Sequence, residues 1–327
     1  VHVPVIDVAP FVTGSGDAST AADAIDRACR QSGFFAIVGH GVDASLRHRL
    51  DALAHEFFAR PDDEKRHIAM ARGGRAWRGW FPVGGELTSG MPDHKEGIYF
   101  GSELSVDDPR VRAGRPLHGP NLFPARPAGL RAAVLEYLDA MTRLGHVMMH
   151  AFERALGLEH GWFDRTLTAD PTILFRIFHY PPLPARVAGD AWSVGEHTDY
   201  GLLTILGQDD IGGLQVHAAQ EWIDVPAGHD AFVCNLGDML ERMTGGRYVS
   251  TPHRVRNTSD RSRLSFAFFF DPSWDAKVQR VPDVDDAAHA VATRPRWDGA
   301  NVHELSGTYG EYLLGKVSKV FPALRSD

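Results

Sequence analysis

From Leu130 to Leu158 the chain shows its clearest periodicity. Val134, Leu138, Met141, Gly145, Met148, Phe152 and Ala155 fall on one helical face, and Gly157 stands where a left-handed cap would end the helix. Ala44 to Phe58 repeats the pattern with Leu46, Leu50, Leu53 and Phe57, and Pro61 follows as a stop. Ala21 to Gln31 reads as a third helix, while VHVPVIDVAPF and SGFFAIVGHGV read as strands. After about residue 172 the period changes from helical to two. The runs ILFRIFHY, LLTIL, GLQVH, EWIDV, AFVCNL, RYVSTPHRV and RLSFAFFF follow one another, most of them separated by Gly, Asp or Asn turns. Helices first and short strands afterwards predict a mainly β fold with flanking helices, a sandwich or barrel braced by an N-terminal helical layer. Between Gly73 and Pro127 the text is rich in Gly, Pro and Trp without periodicity, which predicts a long irregular segment with a functional or mobile role.

No repeat or linker interrupts the 327 residues, so residues 1–327 are expected to form one fused unit. The formal net charge is −8 and no basic run reaches five residues, which argues against nucleic acid and anionic membrane as partners. The 2 cysteines, Cys29 and Cys234, lie in apolar stretches and suit buried thiols in a reducing compartment. With no apolar run of membrane length and no signal-like start, a cytoplasmic location is expected.

Among 17 histidines a His-x-Asp triplet has little weight of its own, and His94-Lys95-Glu96 shows how readily such patterns arise. Context distinguishes His197-Thr198-Asp199. In GEHTDYGLLTIL it opens a strand, where side chains i and i+2 share a face, so an imidazole and a carboxylate converge. His253, on a later strand in YVSTPHRVRN, can supply a third ligand. In RLSFAFFF the alternation puts Leu264, Phe266, Phe268 and Phe270 on one face and Arg263, Ser265 and Ala267 on the other. If the aromatic face packs under the long helix, Arg263 and Ser265 point into the barrel, where an arginine is costly unless it meets an anion. Two His and one carboxylate with open positions is the arrangement of non-haem Fe(II) oxygenases.

With these residues the chain resembles the 2-oxoglutarate/Fe(II)-dependent dioxygenases of the isopenicillin N synthase-like superfamily. VPVIDVAPF, SGFFAIVGHGV and FFARPDDEK are similar to the family's N-terminal region. GEHTDYGLLTIL, GGLQV, NLGDML, STPHRV and RLSFAFFF match its core in order, and TYGEYLLGKVSKVFP resembles its C-terminal helix. The resemblance implies a double-stranded β-helix (jelly roll) over residues 172–275. It also implies an N-terminal oxygenase region over residues 1–128, with a substrate or lid segment at 73–101, and a C-terminal helix at 300–322. Carried over, His197, Asp199 and His253 would hold Fe(II), while Arg263, Ser265 and Tyr180 would bind 2-oxoglutarate, with O2 as the other co-substrate. Phe178 stands where many plant members have Asn, so the resemblance does not carry over one polar contact to the co-substrate.

The implied reaction releases succinate and carbon dioxide and oxidises a small molecule, with hydroxylation as the default outcome. An isopenicillin N synthase-like oxidase that uses no 2-oxoglutarate, or an ethylene-forming-type enzyme, is the alternative. HTDYGLL, MTGG and STPH resemble bacterial ethylene-forming enzymes, whereas GEHTDYG with GGLQV equally resembles fungal thymine hydroxylases. For the substrate pocket, Trp80, Phe81 and Tyr99 could give an apolar wall, Arg78 and Glu86 could read charge, and Phe175 and Phe268 could line the barrel mouth. The residues leave the oligomeric state open.

Overall fold

The computed structural model describes residues 2–88, 90–183, 192–228, 230–282 and 307–320. The chain opens with β1 (Val5–Asp7), α1 (Ala9–Thr13), α2 (Ala18–Gln31), β2 (Phe34–Val38), α3 (Ala44–Phe58) and α4 (Asp62–Lys65). Asp17 and Asp43 fix where the two longer of these helices begin. Their carboxylates accept the backbone N–H of Ser19 and Ser45, each at 2.8 Å, and so cap α2 and α3. Next come β3 (Gly79–Phe81), β4 (Leu87–Thr88), β5 (Met91–Pro92), β6 (Glu96–Gly101) and α5 (Pro109–Arg112). The long helix α6 (Leu130–Leu156) ends at Gly157, whose φ of 74° is left-handed as the sequence suggests.

The β-rich half follows: α7 (Trp162–Thr166), β7 (Pro171–Tyr180), β8 (Val194–His197), β9 (Leu203–Gln208), β10 (Leu214–Ala218), β11 (Glu221–Asp224) and β12 (Phe232–Leu236). It closes with α8 (Asp238–Met243), β13 (His253–Val255), β14 (Arg263–Ser273) and α9 (Tyr309–Val320). Eight strands pair in the order β1-β2-β12-β9-β14-β7-β6-β3, and a second sheet runs β11-β10-β13-β8. Together they form a double-stranded β-helix flanked by helices. Leu264, Phe266, Phe268 and Phe270 of β14 join one core with Val134, Leu138, Met141 and Met148 of α6. The contact is close at Gly145, where a Cβ would stand 2.2 Å from the Phe270 ring. A second apolar cluster, including Phe34, Phe178, Val194, Val216 and Val255, lies between the sheets.

The expected irregular stretch from Gly73 to Pro127 is more ordered than its text suggests. β3 and β6 sit within it and extend the large sheet. EGIYFG of β6 is buried at all six positions, so it has no polar-apolar alternation to read. Within the segment 73–101, expected as a substrate or lid segment, β3 and β6 are tied into the sheet, and β4 and β5 form a separate hairpin. The C-terminal helix expected at 300–322 is described as Tyr309–Val320; residues 300–306 and 321–322 lie outside the described residues. Both cysteines are buried and free. Among the described residues no helix is long and apolar enough to cross a membrane.

Candidate active site

The register of the small sheet places His253 directly opposite His197. Their ring centres are 4.2 Å apart, and Asp199 follows two residues after the end of β8. Asp199 Oδ1 lies 3.9 Å from His197 Nε2 and 3.8 Å from His253 Nε2. The rest of each side chain is already committed. His197 Nδ1 contacts the Gly195 carbonyl at 2.8 Å and His253 Nδ1 that of Thr251 at 3.2 Å, so each Nδ1–H is used and each Nε2 is the free donor atom. Asp199 Oδ2 accepts from Asn235 Nδ2 at 2.7 Å and from the Thr204 hydroxyl at 2.5 Å, which leaves Oδ1 free beside the two Nε2 atoms.

Burial lowers the pKa of both imidazoles, that of His253 to about 4. They therefore stay neutral, the form that binds metal. Burial alone would raise the Asp199 carboxyl, but the two imidazoles and the bonds from Asn235 and Thr204 outweigh it and hold the group below the carboxylate range. Two neutral nitrogens and one carboxylate oxygen, converging with nothing else between them, fit an Fe(II) ion with open positions.

These residues line a cavity of about 610 Å³ between the sheets, together with Arg263, Ser265 and Tyr180. Arg263 pairs with Tyr180 across β14 and β7, and Ser265 faces Gln208 of β9. The guanidinium is fully buried and rides 4.8 Å above the Tyr180 ring. Its Nη2 donates to Gln208 Oε1 at 3.2 Å, while Nε and Nη1 reach no acceptor in the protein. The Ser265 and Tyr180 hydroxyls lie 3.1 Å apart beside it. A buried cation with two unpartnered nitrogens and two neighbouring hydroxyls is complementary to a carboxylate. Phe178, on the same face of β7, gives this region an apolar wall and packs against Tyr180 and Tyr99.

Another wall of the cavity is charged. Glu86 accepts a hydrogen bond from Tyr99 and lies 2.8 Å from the Lys95 ammonium, which also pairs with Asp93. Arg176 Nη1 is 4.0 Å from Glu86, and the guanidinium is held between the rings of Tyr99 and Phe269. Arg176 Nε has no acceptor in the protein. Burial opposes ionisation of Glu86, yet Lys95 and Arg176 hold its pKa below the usual value, so it is an anion.

Of the residues expected to bind substrate, only Glu86 lines the cavity. Arg78 turns the other way, donating from Nη2 to the Leu117 carbonyl at 2.8 Å and filling the space beside Gly101. Trp80 donates to Glu96 at 2.8 Å, away from the cavity. Phe81 and Tyr99 stand a layer behind, against Phe178. Phe175 and Phe268 are correctly buried but on the helix-facing side, Phe175 against Tyr137 of α6. Sequence reasoning missed Lys95 and Arg176. Arg176 had a signal: it is the only charge in ILFRIFHY and shares the parity of Phe178 and Tyr180.

Comparison with known proteins agrees with this geometry. Residues 3–126 match the N-terminal family of the non-haem dioxygenase in morphine synthesis, and residues 171–272 match the 2OG-Fe(II) oxygenase superfamily. A probable iron/ascorbate oxidoreductase of Dictyostelium discoideum is 45% identical, covering 93% of this chain and 89% of its own. A 1-aminocyclopropane-1-carboxylate oxidase of Dictyostelium mucoroides is 35% identical over 98% of this chain and 95% of its own. Homoarginine-6-hydroxylase of Arabidopsis thaliana is 32% identical over 98% and 90%. A full-length Neurospora crassa protein crystallised in complex with alpha-KG superposes with a TM-score of 0.81 at 25% identity, covering 98% of this chain and 96% of that one. The similar proteins include slime-mould, plant and fungal ones and one from Caulobacter crescentus, so they do not support the bacterial membership that the motifs suggested. Matched in both halves and related along nearly its whole length, the chain belongs to the 2OG-Fe(II) oxygenase superfamily and is a non-haem Fe(II)- and 2-oxoglutarate-dependent dioxygenase.

Proposed function

We propose that the enzyme oxidises a free amino acid or a close zwitterionic analogue, with hydroxylation as the outcome. In this reading His197, Asp199 and His253 hold Fe(II), and Arg263, Ser265 and Tyr180 hold the distal carboxylate of 2-oxoglutarate. The metal and co-substrate together supply O2-dependent decarboxylation to succinate and carbon dioxide, coupled to oxidation of the second substrate. Thr204 and Asn235 keep Asp199 oriented and ionised, and the carbonyls of Gly195 and Thr251 keep both imidazoles presenting Nε2.

The observation that carries the substrate class is the grouping of Glu86, Lys95 and Arg176 on one cavity wall. Buried charges are costly, and although Lys95 is taken up by Glu86 and Asp93, Arg176 Nε has no acceptor in the protein and has a use for an anion. An amino acid meets that use: its carboxylate suits Arg176 and its ammonium suits Glu86. The names of two relatives, a homoarginine hydroxylase and an aminocyclopropane-carboxylate oxidase, support an amino-acid substrate. The second of these names keeps another outcome in view, because an aminocyclopropane-carboxylate oxidase favours an oxidase or ethylene-forming-type reaction on the same class of molecule.

Substrate-stimulated succinate release tests the proposal directly. Amino acids should stimulate it above nucleobases and simple carboxylic acids, and product mass should rise by one oxygen. Stimulation by thymine or another nucleobase above every amino acid would refute the substrate class. Substrate oxidation without any 2-oxo acid would favour the oxidase, and ethylene in the headspace the ethylene-forming reaction.

A further inference from the structure

A second group of histidines and carboxylates lies outside the cavity, on α6 and the turn into α7. His146, His150 and Glu153 succeed one another along one side of α6 at spacings of four and three. His160 and Asp164 come from the following turn and helix. His150, Glu153 and His160 each bring one possible ligand atom within 4.8 Å of the others. None of the five lines the active-site cavity.

The parts are arranged as ligands and their supports. Glu153 is 1% exposed, and its two oxygens each accept one backbone N–H, from Gly161 and Phe163, at 2.8 Å. Those bonds fix the carboxylate and still leave a lone pair on each oxygen. Its only ionic neighbour among the described residues is His160, with Nδ1 at 3.6 Å. The rings of His150 and His160 stand 4.5 Å apart. His150 Nε2 contacts Asp164 Oδ2 at 2.8 Å, and His146 Nδ1 contacts Asp164 Oδ1 at 2.8 Å. A histidine whose one nitrogen is held by a carboxylate has the other directed for coordination, the usual support of a metal-bound imidazole.

We propose that His150, Glu153 and His160 form a second, non-catalytic site for a divalent transition metal of the zinc class, with Asp164 orienting His150. Two imidazoles and one carboxylate are a borderline donor set that suits Zn2+ with solvent in the fourth position. The ion ties the end of α6 to the turn before α7.

Metal counting on the full-length protein tests the site. The protein is stripped with chelator, equilibrated with micromolar Zn2+, separated from free ion and measured for bound zinc. Wild type should retain two equivalents, one in the His197–Asp199–His253 centre and one here. His160→Ala should retain one; because that side chain is mostly exposed, the fold is not at risk. His253→Ala should also retain one, and the double variant none. The first equivalent of Zn2+ should raise Tm in His253→Ala but not in the double variant, since an ion bound only to the native state stabilises it. Fe(II)- and 2-oxoglutarate-dependent turnover should be unchanged in His160→Ala. A single equivalent in wild type, or two in His160→Ala, would overturn the proposal.

Discussion

Replacing Arg263 with lysine separates charge from geometry at the co-substrate site. Of the five guanidinium N–H donors one, on Nη2, is committed to Gln208 at 3.2 Å, and the rest, including those of Nε and Nη1, are left for an anion. Lysine keeps the positive charge but is a point donor that cannot make the parallel pair of bonds. One charge-assisted bond is therefore lost, worth about 1.5–3 kcal/mol. At 1.4 kcal/mol per decade this is a rise of about 10- to 150-fold in the KM for 2-oxoglutarate. The charged wall formed by Glu86, Lys95 and Arg176 is untouched, so the KM of the primary substrate should change by less than about threefold, within the range of small packing adjustments. The assay is succinate formation with each substrate varied in turn, supported by calorimetric titration of 2-oxoglutarate. Equal rises in both KM values, or turnover that needs no 2-oxo acid, would refute the assignment of Arg263.

Further predictions follow from the same geometry. His197→Ala, Asp199→Ala and His253→Ala should each abolish Fe(II)-dependent turnover while circular dichroism stays native; near-normal activity in any one removes that residue from the triad. Glu86→Gln should lower primary-substrate turnover at least tenfold yet spare uncoupled 2-oxoglutarate decarboxylation, because no co-substrate contact involves Glu86; parallel loss of both activities would contradict this. Arg78→Ala should cost about 2–4 kcal/mol of stability by leaving a cavity and an unpaired Leu117 carbonyl, with substrate KM unchanged, as read by denaturant unfolding and kinetics. Burial raises the Asp271 carboxyl to about 7 despite hydrogen bonds from Tyr309 and Leu202. A carboxyl raised on folding binds more protons in the native state, so its contribution falls as pH rises from about 4 to about 7. Metal-free Asp271→Asn should lose that slope and gain stability at pH 7; an unchanged pH profile of Tm would count against it.

What could be read in advance depended on whether a residue's partners were local. The alternation of β14 placed Arg263 and Ser265 opposite the phenylalanines because the period of a strand needs only the strand. The same parity places Phe268 on the helix side, and counting back from Tyr180 places Phe175 there too, so both should have been excluded from the pocket on sequence grounds. β6 was hidden for a different reason: a strand buried on both faces looks like neither template. Arg78 and Glu86 could not be told apart, since both are single charges in a Gly-rich stretch. Only the tertiary fold turns Arg78 to the Leu117 carbonyl and brings Glu86 to Lys95, nine residues on.

Strand β7 also sets a scale of length. Arg176, Phe178 and Tyr180 share one face, and the pairing Arg263↔Tyr180 and Ala267↔Arg176 keeps β14 aligned beside them. At about 3.3 Å per residue, the Arg176 and Tyr180 positions are ~13 Å apart along the sheet. On the proposed reading, a substrate anchored by its carboxylate at Arg176 and a co-substrate anchored at Arg263 would meet from fixed ends of one ruler. Under that arrangement the carbon that reacts is chosen by counting methylenes from the anchor. Lengthening the amino acid by one carbon should shift the position of oxidation rather than merely slow it.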